Sequence, residues 1–324
     1  MQEQIFNIQN EDDFKTCALK VFKHQFENNT VYRSFCDLLF IHPSDVKELK
    51  EIPFLPIQFF KSHQILSSKE SVQEIFTSSG TTGRVTSKHL VTDISWYEKS
   101  YLKGFEYFYG NIEDYTILAL LPNYLEREGS SLIYMVDDLI KKSKKSASGF
   151  YLNDLRKLSI ELTHLNKNNK KTLLIGVTYA LLDLIEQQEF QLKNTIIMET
   201  GGMKGRRKEL IRDQLHEILC EGLGVTEIHS EYGMTELLSQ GYSKGNGIFN
   251  CPPWMKIFTR DTEDALTIFE NSKTGGLNVI DLANYNSCSF IATQDLGKVN
   301  PNGNFEVLGR FDHSDIRGCN LMVM

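Results

Sequence analysis

The sequence predicts an α/β protein: a mostly parallel sheet flanked by helices, followed by a small β-rich subdomain. Two observations carry this. Short apolar runs alternate with amphipathic stretches between residues 93 and 230, and after residue 248 short strands separated by Gly, Asn and Asp turns replace the helices.

Residues 11–27 open on a capping arrangement of Asn10 and Asp13 and put Phe14, Ala18, Val21, Phe22 and Phe26 on one helical face. IPFLPIQFFKS (52–62) contains Pro53 and Pro56 and cannot be a regular helix. Strands are expected at YTILALL (115–121), KTLLIGV (171–177), NTIIMET (194–200) and GVTEIHS (224–230). Helices are expected at DISWYEKSYLKGFEYF (93–108), SSLIYMVDDLIKK (130–142), YALLDLIEQ (179–187) and RRKELIRDQLHEILCEGL (206–223). Tyr97, Tyr101, Phe105, Phe108 and Tyr109 recur at helical spacing, which reads as core rather than ligand tunnel. MKIFTR, ALTIFE, LNVIDLA, SFIAT and NFEVLG supply the later strands. The expected division is a core over 1–247, a β-rich subdomain over 248–308 and a tail over 309–324.

The chain has 324 residues, enough to bury a substantial core. A net charge of −7 argues against a nucleic-acid binder, which needs clustered Lys and Arg. The basic run Lys141–Lys145 reads as a solvated helix end. MQEQIFNIQNEDDF lacks the basic and apolar regions of a signal peptide, and no apolar run is long enough for a membrane span. Six scattered cysteines form no CxxC and no zinc-site spacing with His, so reduced thiols and a cytoplasmic location are expected.

TSSGTTGR (77–84) follows the apolar pair Ile75-Phe76 and packs five hydroxyls and two glycines into eight residues. Small residues let backbone N–H groups converge on an anion, and hydroxyls add rotatable donors. In an α/β sheet a loop leaving a strand's carboxyl end is well placed for a ligand. Gly80 and Gly83 are separated by two residues and no Gly-Lys-Ser/Thr follows, so this is not a Walker loop. Taken alone, the cluster reads first as a flexible surface turn. Behind it, in fixed order, come EYGMTEL (231–237), ATQDLG (292–297) and LGRFDHSDIRG (308–318).

That order resembles the adenylate-forming superfamily of acyl-CoA synthetases, luciferases and adenylation domains. The resemblance implies that superfamily's N-terminal-domain fold and the use of ATP and Mg²⁺. Thr77, Ser78, Ser79, Gly80, Thr81, Thr82 and Gly83 match the phosphate loop. Tyr232 would lie against adenine within a motif that includes Gly233 and Thr235, Glu236 would hold Mg²⁺, Asp295 would take the ribose, and Arg310 the ribose or phosphate. Gly201 and Gly202 fall where the superfamily brings backbone close to the base. Attack of a carboxylate on the α-phosphate needs charge neutralisation and alignment rather than a protein nucleophile, so the missing lysine is no defect. For each residue a bland reading stands beside this one: a core tyrosine, a helix-end glutamate, a turn aspartate. The superfamily's Gly-x-Pro-Lys continuation is replaced by Gly83-Arg84-Val85-Thr86-Ser87-Lys88, leaving Arg84 or Lys88 to supply positive charge.

Within the superfamily the chain resembles the acyl-protein synthetases of bacterial bioluminescence fatty-acid reductase complexes, in IPFLPIQFFKSH (52–63) and in Ile316-Arg317-Gly318-Cys319 near the end. This implies that the usual mobile C-terminal domain and its lysine are absent. It also implies that a fatty acid is activated as acyl-adenylate, captured on Cys319 and passed to an acyl-accepting protein, a reductase or an acyl carrier protein. Glu236, Thr81 and Cys319 are then the catalytic candidates. A guanidinium at Arg317 favours the thiolate that such capture needs. The bland reading of Cys319 is a small buried hydrophobe; among the other cysteines Cys251 is the least settled. His63 and His229 read as structural histidines or as lining of an acyl pocket. Two further readings remain: an ATP-independent acyltransferase using an acyl carrier protein, and a non-catalytic scaffold.

Overall fold

The computed structural model describes residues 2–78, 86–122, 128–201, 210–270 and 272–311. After α1 (Gln2–Ile5), helix α2 (Glu11–Asn28) starts where the sequence puts it, with Asn10 accepting the Asp13 amide at 2.9 Å. Its face of Phe14, Ala18, Val21, Phe22 and Phe26 is buried. Helix α3 (Thr30–Leu38) follows directly, capped by Asn29. The proline-bearing stretch forms only β1 (Leu55–Pro56) and one turn of helix, α4 (Phe59–Ser62).

Strands β2 (Glu74–Thr77) and β3 (Lys88–Val91) pair antiparallel in a sheet of their own. The hydroxyl-rich loop was expected to leave a strand of the parallel sheet; it instead joins the arms of a hairpin. The reason lies in the side chains. Within β2 only Phe76 is fully buried, the pattern of a strand wetted on one side, whereas strands of a covered parallel sheet are buried throughout.

Helix α5 (Ile94–Tyr109) buries Tyr97, Tyr101 and Phe105, as expected of core. The alternating part then gives β4 (Thr116–Leu120), α6 (Ser131–Ser143), β5 (Gly149–Phe150), α7 (Leu155–Lys167), β6 (Thr172–Gly176), α8 (Thr178–Gln187) and β7 (Thr195–Glu199). It ends with α9 (Arg212–Leu223), β8 (His229–Tyr232), β9 (Gly241–Ser243) and β10 (Ile248–Asn250). The strand order is β10-β9-β8-β7-β6-β4-β5; β5, β4, β6, β7 and β8 are parallel and β9 returns antiparallel to β8. Strands β4 and β6 are buried at every position. Strand β8 begins later than expected because Gly224 serves as the C-cap of α9.

Strands β11 (Met255–Arg260), β12 (Thr274–Asp281), β13 (Phe290–Val299) and β14 (Phe305–Arg310) form an antiparallel set, with β1 parallel against the start of β13. ALTIFE, expected as a strand, makes a single bridge between Arg260 and Ile268. Asp264 turns it by accepting the Leu266 amide and the Thr267 hydroxyl.

The chain folds as two compact units. The first holds the described residues up to Ser100, the short piece Thr235–Ser239, and the residues from Asn250 on; the second holds Tyr101–Met234 and Gln240–Phe249. In the first unit α2 is tied down by Gln25, whose amide donates to the Asn284 and Tyr285 carbonyls and accepts the Ser289 amide.

Thr235–Ser239 has no helix or strand of its own, so side chains must satisfy its backbone. The buried carboxylate of Asp281 accepts the Leu238 and Ser239 amides at Oδ2 (2.8 and 2.9 Å), and the Ser239 hydroxyl (2.6 Å) and Ala283 amide (3.1 Å) at Oδ1. Trp254 Nε1 donates to Ser239 Oγ, and Asn284 Nδ2 donates to the Glu236 carbonyl at 2.6 Å. Burial pushes the Asp281 carboxyl above its ordinary range, and these donors pull it back. Asp281→Asn places an amide among donors and is expected to lower stability by about 2–4 kcal/mol. The check is urea unfolding, read as a lower midpoint at unchanged slope; a shift below about 0.5 kcal/mol would remove Asp281 from this role.

Candidate nucleotide site

In the first unit the hairpin brings the root of the hydroxyl loop to a carboxylate. Thr77 ends β2 half-buried and pairs in register with the exposed Lys88. One residue on, Ser78 and Ser87 bond each other twice: the Ser78 amide donates to the Ser87 carbonyl (3.2 Å), and the Ser87 amide donates to Ser78 Oγ (2.9 Å). The Ser87 hydroxyl lies near enough to the Glu236 carboxyl to favour its ionised form. Glu236 is 5% exposed. Burial raises its carboxyl above the ordinary range, opposed by Ser87, its own amide, and the charges of Arg310 and Lys61.

His89 on β3 is buried, and its Nδ1–H donates to the Thr235 carbonyl at 2.8 Å. Burial drops its pKa to about 4, so it is a neutral brace for the piece that carries Glu236. Neither Ser87 nor His89 is marked by its sequence surroundings; both act on a partner well over a hundred residues away. His63, by contrast, is exposed and stacks on Phe59.

Asp295 on β13 faces Arg310 on β14 in register, and Arg310 Nε lies 3.3 Å from Asp295 Oδ1. The aspartate is buried while the arginine side chain is 74% exposed. Behind them, Arg260 is buried and donates to the Leu277 and Thr293 carbonyls and to Asn278 Oδ1. The structure thus links Ser78, Glu236, Arg310 and Asp295 in one unit.

The other matched residues belong to the second unit. β7 and β8 run parallel with Glu199 opposite Ser230, so Gly201 and the Tyr232-Gly233 pair leave neighbouring strands at their carboxyl ends, where α/β sheets bind ligands. Gly201 is exposed, has φ +62° and has open space where a Cβ would point, as a backbone-approach position requires. Tyr232 is 8% exposed, edge-on to Phe249. His229 is half-buried, accepting or donating at Nδ1 with the Tyr109 hydroxyl at 3.2 Å. Ser79, Gly80, Thr81, Thr82, Gly83, Arg84, Gly202, Arg317 and Cys319 lie outside the described residues.

The donors suit a magnesium ion carried by a nucleotide rather than one caged by protein. Among the described residues no group of three or more His, Cys, Asp or Glu could hold a metal. A lone carboxylate with nearby hydroxyls is what Mg²⁺ uses when phosphate oxygens and water complete its shell. Among the described residues no helix is long and apolar enough to cross a membrane. The described cysteines are free thiols, and burial pushes Cys251 well up, making it a poor nucleophile.

Comparison with known proteins bears on the fold and the family. An open conformation of 2-hydroxyisobutyryl-CoA ligase superposes with a TM-score of 0.65 at 12% identity, over 93% of this chain and 70% of that one. ATP-bound MatB from Rhodopseudomonas palustris gives a TM-score of 0.56 at 17% identity over 75% of this chain; the match spans about half (49%) of the MatB chain. These likenesses show the adenylate-forming fold. In sequence, a long-chain-fatty-acid–luciferin-component ligase of Vibrio harveyi is 22% identical over 98% of this chain and 89% of its own length. A protein of the same description from Photorhabdus luminescens is 35% identical over 72 residues, 21% of this chain and 60% of its own length. The model of the family described as acyl-protein synthetase, LuxE, matches residues 4–324, and the chain belongs to that family of ligases.

Proposed function

We propose that the protein activates a long-chain fatty acid with ATP and Mg²⁺ as acyl-adenylate, captures the acyl group on Cys319 and passes it to a partner protein. Membership of the acyl-protein synthetase family supports the first step, and one observation carries the site: a buried glutamate beside Ser87, which holds the root of the hydroxyl loop. The substrate class follows the name of the Vibrio harveyi relative, whose luciferin-component wording also points to a reductase as acyl acceptor. We place the reaction in the cytoplasm, where the thiols stay reduced.

In the first step a fatty carboxylate oxygen attacks the α-phosphorus, forming a P–O bond while the bond to the β-phosphate oxygen breaks and pyrophosphate leaves. Magnesium, where bound, neutralises phosphate charge. The loop from Thr77 to Gly83, with Thr81 at its centre, orients the phosphates; Glu236 offers its carboxylate to the ion; Tyr232 with Gly201, Gly202 and Gly233 takes the base; Asp295 accepts from the ribose hydroxyls and Arg310 approaches from the strand end. Thr235 acts through its carbonyl, which His89 fixes. In the second step the Cys319 thiolate attacks the acyl carbon, a thioester forms and AMP leaves.

Glu236→Gln keeps shape but loses charge. Pyrophosphate release driven by a long-chain acid is expected to fall about 10²–10³-fold, the scale of losing one preorganised charged group. Activity within threefold of the parent would remove Glu236 from metal binding. Cys319→Ser is expected to retain acid-dependent pyrophosphate release in a single turnover while losing all hydroxylamine-sensitive acyl label on the protein. Label that persists on the serine variant would place the thioester elsewhere.

A further inference from the structure

We propose that the groove between helix α7 and the end of α8 is a docking surface for an acidic helix of the acyl-accepting protein. The choice of that occupant rests on the reading that the acyl group is passed to a partner.

The groove lies wholly in the second unit. Helix α7 forms one wall, and Gln187-Gln188, where α8 ends, the other. The chain beyond α8 is pinned to α7: Asn166 Nδ2 donates to the Gln191 carbonyl at 2.7 Å, and Asn166 Oδ1 accepts the Lys193 amide at 2.9 Å. Ser159 and Thr163 line the groove with small side chains whose hydroxyls donate within α7, to the Leu155 and Ser159 carbonyls. Ile160 stands between them, 61% exposed. Arg156, Ile160, Thr163 and Lys167 recur at the spacing of one helical face, so Arg156 and Lys167 are three turns, about 16 Å, apart along it.

Charge points to the occupant. The chain carries −7 overall, yet residues 154–171 hold five Lys or Arg against Asp154 and Glu161. No carboxylate lines the groove. Nearby lysines are matched: Lys142 bonds Asp138 at 2.9 Å, Lys144 bonds Glu113 at 2.6 Å, and Lys171 lies 3.7 Å from Asp114. Lys157 sits over the Tyr151 ring. Arg156 and Lys167 have no such partner among the described residues. Arg156 also stands in the first turn of α7, where the helix's own field disfavours a cation, so α7 by itself gives no reason for it. Two unmatched cations flanking an exposed apolar side chain are completed by a facing helix with carboxylates three turns apart and an apolar residue between them. A bilayer needs a broad apolar face, which one isoleucine in a concave wall does not supply. A nucleic acid needs a longer row of cations than this pair.

The probe is a stapled helical peptide about five turns long, with glutamates three turns apart and a leucine between them, and a counterpart with lysines in their place. Affinities for the full-length protein are read by fluorescence anisotropy at low ionic strength. The wild type is expected to bind the glutamate peptide at least about tenfold more tightly than its counterpart, a margin that shrinks with added salt. Arg156→Glu with Lys167→Glu is expected to reverse that order, while hydroxylamine-sensitive acyl label forms on the protein at the parental rate. Lys157→Glu with Lys170→Glu makes the same change in net charge outside the groove and is expected to stay within about twofold of the parent. Equal affinity for the two peptides, or an equal loss in both charge-reversed pairs, overturns the proposal. So does a loss that appears instead as weaker binding to anionic vesicles or as dissociation of a dimer, which gives the groove to lipid or to a second copy of the chain. A wild type that forms no acyl label overturns acyl transfer itself, and the partner's role with it, whatever the peptides show.

Discussion

The first unit's site depends on one buried carboxylate. Asp281 gathers two backbone amides and a hydroxyl from Leu238-Ser239, plus the Ala283 amide beside it. A piece of five residues with no regular structure cannot satisfy its own donors, and water is excluded where Asp281 is fully buried. An apolar residue at 281 would leave the two amides of Leu238 and Ser239 unpaired, each a cost of about 1–3 kcal/mol. Glu236 is fixed as a consequence. Its carbonyl is held by Asn284 and its neighbour Thr235 by His89, so the carboxylate meets Ser87 without its own chain deciding the geometry.

Three glutamates close together in sequence or across strands are set apart by their surroundings rather than by type. Glu199 has His216 Nε2 at 3.8 Å and the charge of Arg212, which outweigh burial and favour the anion. Glu231 has burial and the charge of Glu199 against it and only the Thr200 hydroxyl in its favour, so it is the one that can change state near neutrality. Glu236 is also disfavoured by burial, yet the charges of Arg310 and Lys61 favour its ionised form. Environment thus sorts one chemical group into an anion held below the ordinary range, a group that titrates near neutrality and a buried carboxyl partly steadied by cations.

Much of this was legible in the sequence, for local reasons. Helix α2 announced itself because cap, periodicity and apolar face agree within eighteen residues. Helix α7 carries equally local signals: Asp154 caps it, and Leu158, Leu162 and Leu165 form its buried stripe. The hairpin of β2 and β3 was not legible, because four-residue arms look the same whether their partner is antiparallel or parallel. Glu236, Asp295 and Arg310 were found through the order of their motifs. Asp281, Ser87, His89 and Glu231 were not, since each acquires its meaning from a partner that folding alone brings near. LNVIDLA reads as a strand whether or not its aspartate points inward.

The missing Walker lysine leaves the question of where positive charge comes from, and the two arginines near Asp295 answer it differently. Arg260 is buried with three oxygen acceptors around its guanidinium, and leaving would unpair all of them, so it serves the strands. Arg310 is three-quarters exposed, and its pairing with Asp295 at 3.3 Å is of the kind worth about 0–1 kcal/mol. Such a pair opens at little cost. In the proposed site a ribose would take the Asp295 carboxylate while the Arg310 guanidinium would turn to a phosphate. A lysine fixed in a loop would supply charge at one place only; an exposed arginine on β14 would, in the proposed site, supply it where the ligand needs it.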